Sequence, residues 1–178
     1  MLKGLNIGSG QRRFETVPNV IEWINIDCVS RPPDQVPDIV CDVGRECLPI
    51  ENPIIDYVVL HQVYEHFGLS EGHGLIAESL RVMKPGGSLI LTVPHLKRLA
   101  EGWISGRIDD YIYAVNLYGA YQGEPGDRHA WGFTTESLIA DLRKAAPTAS
   151  KIVPFDWREI PAANIARDWY IAGVEVVK

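Results

Sequence analysis

Apolar and polar positions along the chain alternate between two rhythms, one suited to strands and one to helices. Leu2 to Ile7 reads as a first strand and runs into Gly8-Ser9-Gly10. Glu22-Trp23-Ile24-Asn25-Ile26-Asp27 alternates apolar with polar and predicts a second strand. Pro32-Pro33 and Pro37 mark a loop, and Ile39-Val40-Cys41-Asp42 predicts a short third strand. Ile54 to Leu60 is branched and apolar almost throughout, as a buried parallel strand requires. The period then lengthens. Leu75, Ile76, Leu80 and Met83 form one stripe and predict a helix over Gly74–Met83, with Lys84 in its last turn and Pro85-Gly86-Gly87 ending it. Ser88 to Val93 is a fifth strand.

Residues 94–132 break the rhythm. They are rich in Gly, Tyr and Trp, with helical pieces around Ile108 to Leu117, and read as an insertion. Thr134 then caps a helix running to Arg143-Lys144, with Ser137 at the third helical position. Two late strands are expected, Ser150 to Phe155 and Tyr170 to Val177. Strands alternating with helices imply a parallel sheet covered on both faces.

Composition narrows the class. The 178 residues suit one domain, and a net charge of −6 gives no bulk attraction to phosphate backbones. Nucleic acid is therefore not an expected partner. Cys28, Cys41 and Cys47 form no CxxC pair, which argues against a disulfide framework or a zinc knuckle and fits a reducing compartment. No run approaches the roughly 18 apolar residues that span a bilayer, and the first residues lack a signal-peptide core. A cytoplasmic chain without membrane insertion is expected.

The order of blocks resembles the class I S-adenosylmethionine (SAM)-dependent methyltransferases over nearly the whole chain. Leu5-Asn6-Ile7-Gly8-Ser9-Gly10 is similar to the family's first motif, and Asp27 stands where its ribose-binding acid stands. Cys41-Asp42-Val43 is similar to the third motif, and Ile55 to His66 to the fourth. Leu80-Arg81-Val82-Met83-Lys84-Pro85-Gly86-Gly87 resembles the block before strand five. Leu117-Tyr118-Gly119 through His129 and Gly132-Phe133-Thr134 resembles a subgroup of sugar and cell-surface polysaccharide pathways. The resemblance implies an α/β fold with a Rossmann-like, doubly wound, mostly parallel seven-stranded sheet whose last strand is antiparallel. It implies one domain over residues 1–178, with a lid-like insertion at about 94–132. Only about a dozen residues separate Gly10 from Trp23, so the first helix is nearly absent, and the chain starts at strand one without helices to cap the pocket.

On that resemblance SAM is the cofactor. Gly8 and Gly10 let the backbone approach it, since a Cβ would clash there, and Asn6, Ser9 and Cys28 belong to the same cofactor-binding set. Asp27 accepts from the ribose hydroxyls, Asp42 accepts from the adenine amino group, Val43 presses the adenine face, and His61 lies near the methionine moiety. Asn6 sits inside the strand, where its amide can equally satisfy buried backbone. His61, Glu65 and His66 have the spacing His-x-x-x-Glu-His, not His-x-x-Glu-His. On a helix, His66 would turn away from the other two, so packing and capping are expected of Glu65 and His66, and no metal.

Methyl transfer is an in-line displacement in which the protein mainly supplies alignment. If the acceptor is a hydroxyl, His129 is the first candidate base and His95 the second. Tyr111, Tyr113, Tyr118, Tyr121 and Trp131 line an acceptor pocket or form the insertion's own core. A small-molecule or sugar acceptor is expected, and a homodimer is compatible with it. A nicotinamide dehydrogenase is disfavoured because Arg13 stands where a third glycine is expected. A base-modifying enzyme is disfavoured because His61-Gln62-Val63-Tyr64 replaces the Asp/Asn-Pro-Pro-Tyr/Phe motif. A non-catalytic SAM-fold module acting with a partner is the alternative.

Overall fold

The computed structural model describes residues 1–30, 33, 36–51, 53–120, 125–156 and 169–178. Its strands are β1 (Leu2–Ile7), β2 (Ile21–Asp27), β3 (Ile39–Val40), β4 (Ile55–His61), β5 (Met83–Pro94), β6 (Lys151–Pro154) and β7 (Ile171–Val177). They form a seven-stranded sheet in the order β3-β2-β1-β4-β5-β7-β6. β1 through β5 pair in parallel, and β7 is antiparallel to both β5 and β6. This is the Rossmann-like, mostly parallel architecture with an antiparallel last strand that the family resemblance implies.

The helices are α1 (Leu69–Val82), α2 (Leu96–Ile104), α3 (Asp110–Tyr118) and α4 (Thr135–Ala145). α1 and α4 pack on the first face, over Leu5, Ile7, Val58, Leu60, Leu89 and Leu91. Thr134 caps α4 as expected: its Oγ1 accepts the Ser137 N–H at 3.2 Å, and Ser137 Oγ accepts the Thr134 N–H at 2.9 Å. The second face has a smaller core of Phe14, Trp23, Val59, Ile90 and Leu99, joined by Ile108 and Ile112 around α2 and α3.

No helix joins β1 to β2. Asn25 holds the loop in its place: its Oδ1 accepts from the Phe14 N–H at 2.8 Å and its Nδ2 donates to the Phe14 carbonyl at 3.1 Å. A side-chain amide thus completes a backbone that has no helical partners. The second face is left partly bare, and Leu2 (41% exposed) and Tyr57 (36%) point to it.

Expected boundaries move around the helix before strand five and at the end of the third strand. The helix expected over Gly74–Met83 begins earlier and ends at Val82, so Arg81 lies in its last turn and Lys84 does not. Met83 is already extended, and Pro85-Gly86-Gly87 belongs to β5. Between the pairs Ile55↔Met83 and Tyr57↔Ser88, β4 advances two positions while β5 advances five, so a bulge absorbs three residues. Gly86, at φ +79°, provides the bend, and Lys84 Nζ sits 2.9 Å from the Asp56 carboxylate instead of capping a helix. The third strand ends at Val40, because the Asp42 carbonyl turns to accept the Arg45 and Glu46 N–H groups. Pro32 and Tyr121, both named above, lie outside the described residues.

Candidate functional site

The strand order reverses beside β1, with β2 on one side and β4 on the other. Loops leaving strands at such a point diverge and open a crevice at their carboxyl ends. Gly8-Ser9-Gly10 leaves β1 there. Gly8 has φ +68°, and an added Cβ would meet Val63 Cγ2 at 2.4 Å. Packing as well as conformation fixes that glycine. Gly10 has φ +47°, and an added Cβ would meet nothing within 4 Å, so the space before it is open. Ser9 is buried, and its Oγ has no hydrogen-bond partner among the described residues. A buried orphan hydroxyl beside an open glycine cradle fits a polar ligand.

Asp27 ends β2. Its Oδ2 accepts the Gly10 N–H at 2.7 Å and its Oδ1 the Val29 N–H at 3.0 Å. The carboxylate therefore shapes the glycine turn, and each oxygen keeps accepting capacity for a diol. Cys28 is exposed, and partial burial, then the charges of Asp27 and Asp42, push its thiol pKa up. The ends of β2 and β3 meet directly, with the Cys41 N–H donating to the Asp27 carbonyl at 2.9 Å. Asp42 Oδ1 also accepts the Gly44 N–H at 3.3 Å, and Val43 packs against the first core.

Asn6, one residue before the end of β1, and His61, the last residue of β4, are both buried at this edge. Asn6 is buried, and its Nδ2 donates to the Arg12 carbonyl at 2.9 Å and to Asn25 Oδ1 at 3.0 Å. His61 Nε2 faces the Arg12 guanidinium at 2.8 Å, and Nδ1 faces Thr92 Oγ1 at 2.6 Å. Arginine only donates, so Nε2 accepts and Nδ1 carries the proton. Burial, then the Arg12 charge, lowers the His61 pKa to about 4, and the ring is neutral.

His95 caps α2, its Nδ1 accepting the Arg98 N–H at 3.3 Å. Burial, then the Arg98 charge, lowers its pKa. His129 lies elsewhere, against the exit of β4. Its Nδ1 donates to the Asn116 carbonyl at 3.0 Å, and its ring stands at 90° to that of His66, with centroids 4.8 Å apart. Burial, then His66, lowers its pKa to about 4. Glu65 joins this pair. It is 1% exposed, neither carboxylate oxygen has a partner among the described residues, and burial pushes its pKa up to about 8. Helical reasoning had paired Glu65 with His61. The segment Tyr64–His66 is instead a 3-10 turn, which swings His66 and Glu65 toward His129.

Among the aromatics of the insertion, Tyr113 stacks on Trp103 at 4.8 Å, while Tyr111, Tyr118 and Trp131 are exposed. A separate groove of about 470 Å³ lies on the second face, lined by residues such as Arg13, Thr16, Trp23 and Asp38. Arg13 and Asp38 already pair there at 2.5 Å, and the groove holds none of the orphaned side-chain atoms, so it lacks the cradle found at Gly10.

Sequence reasoning passed over Arg12 and Gln62. Gln62 has φ +55° at the exit of β4, a conformation rare for Gln, and its N–H donates to the Thr92 carbonyl at 2.8 Å. Nothing in local sequence signals either role.

Residues 13–91, less than half of the chain, match the family model described as "Methyltransferase domain". The match contains Asp27, Asp42, Val43 and His61, and the glycine turn lies just before it. No curated protein matches the chain. Among solved structures, the chain is similar to the SAM-dependent methyltransferase SibL, at TM-score 0.61 and 12% identity, covering 99% of this chain and 50% of that one. It is similar to the plantazolicin methyltransferase BpumL, at TM-score 0.62 and 12% identity, covering 99% and 76%. It is also similar to 1,6-didemethyltoxoflavin-N1-methyltransferase of Burkholderia thailandensis, at TM-score 0.57 and 15% identity, covering 99% and 70%. The chain thus spans about half the length of SibL. The solved structures show that the chain shares the fold of these methyltransferases, and the family match places part of that fold, residues 13–91, in a methyltransferase domain model.

Proposed function

We propose that this chain transfers a methyl group from SAM to a small-molecule acceptor, and that the acceptor is a sugar or glycan intermediate. The observation that carries the cofactor reading is the Gly10 cradle: an open left-handed glycine beside a buried, unpartnered Ser9 hydroxyl, with Asp27 holding the Gly10 N–H. Asn6, Gly8, Ser9, Gly10, Asp27, Cys28 and His61 hold the methionine and ribose side, and Asp42 and Val43 hold the adenine side. SAM, when bound, supplies a methyl group activated on a sulfonium. The protein's own contribution is alignment and exclusion of water.

The acceptor reading rests on three separate supports. The segment from Leu117 through Thr134 resembles that of sugar-pathway enzymes. Two structural neighbours are named for their compounds, 1,6-didemethyltoxoflavin and plantazolicin, which supports a small-molecule acceptor. His129, neutral and with Nδ1–H held by Asn116, offers Nε2 as an acceptor. It is the first proposed base, and His95 the second. In this reading residues 1–178 form one domain, and 94–132 serve as its lid, completed in a homodimer where one forms. Nucleic acid is not a partner on charge grounds. Among the described residues no helix is long and apolar enough to cross a membrane, and a cytoplasmic location is proposed.

A second reading, a SAM-fold module that acts with a partner, is favoured by the bare second face at Leu2 and Tyr57. Calorimetric titration with S-adenosylhomocysteine, followed by transfer of labelled methyl to a panel of sugars, decides between them. Binding with transfer supports the enzyme, and binding without transfer on any acceptor favours the module.

A further inference from the structure

Glu65 buries a carboxylate that no side chain among the described residues pairs with, and the one donor near it is its own backbone N–H. A carboxylate removed from water persists only when neutralised or set against positive charge. The groups beside it are two imidazoles, each already oriented by a backbone carbonyl. His66 Nδ1 donates to the Arg128 carbonyl at 3.2 Å, and His129 Nδ1 to the Asn116 carbonyl at 3.0 Å. Each ring thereby keeps Nε2 as a bare lone pair. Metal-ligating histidines are held in this way, with the far nitrogen donating to a carbonyl or carboxylate. One candidate donor atom from each of Glu65, His66 and His129 lies within 4.8 Å of the other two. The Gln62 and Gly126 carbonyls and the Asp127 charge also face His66, and all are of a sign that favours a cation.

We propose that Glu65, His66 and His129 bind one divalent transition cation, for which zinc is the natural probe. Two imidazoles and one carboxylate select such ions over magnesium and calcium, which take oxygen ligands. Donors around tetrahedral zinc, at about 2.0–2.1 Å from it, lie about 3.3 Å from one another. The three groups must therefore draw together by up to about 1.5 Å from their present spread. Three protein ligands leave a fourth position open. The ligands come from two parts of the chain already joined by backbone bonds: the Glu65 carbonyl accepts from Ala130 at 2.8 Å and Trp131 at 3.1 Å. A cation here pins the segment after α3 to the exit of β4. While the ion is bound, the His129 Nε2 lone pair belongs to it, and the base role proposed above passes from His129 to His95.

The test uses the full chain, stripped of metal by chelator and titrated with zinc against a chromophoric competitor. The expected result is one zinc per chain, with binding weakened at least about tenfold in Glu65→Gln and in His129→Ala, and no comparable response to magnesium. Zinc should raise the Tm of the unmodified protein and leave that of Glu65→Gln unchanged. Glu65→Gln keeps the side-chain volume and removes the buried charge, and its circular dichroism without metal checks its fold. His66→Ala provides the same readout should Glu65→Gln not fold. Failure of the unmodified protein to bind zinc stoichiometrically, or equal affinity in the variants, overturns the proposal. S-adenosylhomocysteine binding, measured on the same samples, reports separately on the cofactor reading.

Discussion

Gly8 and Gly10 look alike in sequence, yet the structure predicts opposite consequences for replacing them by alanine. Both have positive φ, +68° and +47°, so each Ala pays a left-handed backbone cost of roughly 1–2 kcal/mol. Stiffening the unfolded chain offsets about 0.4–1 kcal/mol of that. At Gly10 nothing else is added, because the new Cβ meets open space. Gly10→Ala should therefore lose only about 1 kcal/mol of stability. At Gly8 the new Cβ falls 2.4 Å from Val63 Cγ2, inside the first core. Overpacking adds about 1–3 kcal/mol, for a total of about 2–4 kcal/mol. Binding should show the reverse selectivity. The Gly10 methyl group fills the cradle directly and should abolish S-adenosylhomocysteine binding by a protein that remains folded. The assay is urea unfolding of both variants with calorimetric titration of each. A Gly10→Ala protein that binds like the unmodified chain refutes the placement of the ligand. Equal destabilisation of the two variants refutes the packing argument.

Asp27→Ala should also lose S-adenosylhomocysteine binding in calorimetry, and should lower stability by about 1–3 kcal/mol, because the Gly10 and Val29 N–H groups lose their acceptor. His61 has a pKa of about 4 in the fold and about 6.5 when unfolded, so the unfolded chain takes up the proton first as pH falls. Its contribution is fully present above the unfolded value and is lost progressively below it. Between pH 7 and pH 5 the unmodified protein should lose about 2 kcal/mol more than His61→Gln in urea unfolding, and equal losses would remove His61 as the cause. Thr134→Ala should cost about 0.5–2 kcal/mol through loss of the α4 cap, read as a lower Tm with binding unchanged.

The strands were legible because each carries its own period, and that period also located Asp27 and the glycine turn at strand ends, where the structure has them. The helix end before β5 was not. Pro85-Gly86-Gly87 has the chemistry of a stop signal, and only the register with β4 shows that it absorbs a bulge. Arg12 against His61, and His129 against Glu65 and His66, depend on residues far apart in sequence. No local pattern records such meetings. The helical geometry expected around Glu65 differs for a related reason, since the chain makes a 3-10 turn there. Asn25 read as the polar half of an alternating strand, although its amide replaces the missing first helix.

The central claim is that SAM sits on the Gly8–Gly10 turn against Asp27. Backbone amide shifts of isotopically labelled protein, followed during titration with S-adenosylhomocysteine, test it most directly. The account predicts saturable shifts at Ser9, Gly10, Asp27, Cys28 and Val43. Shifts confined to Arg13, Thr16 and Trp23 in the second-face groove, or none at saturating ligand, would contradict it.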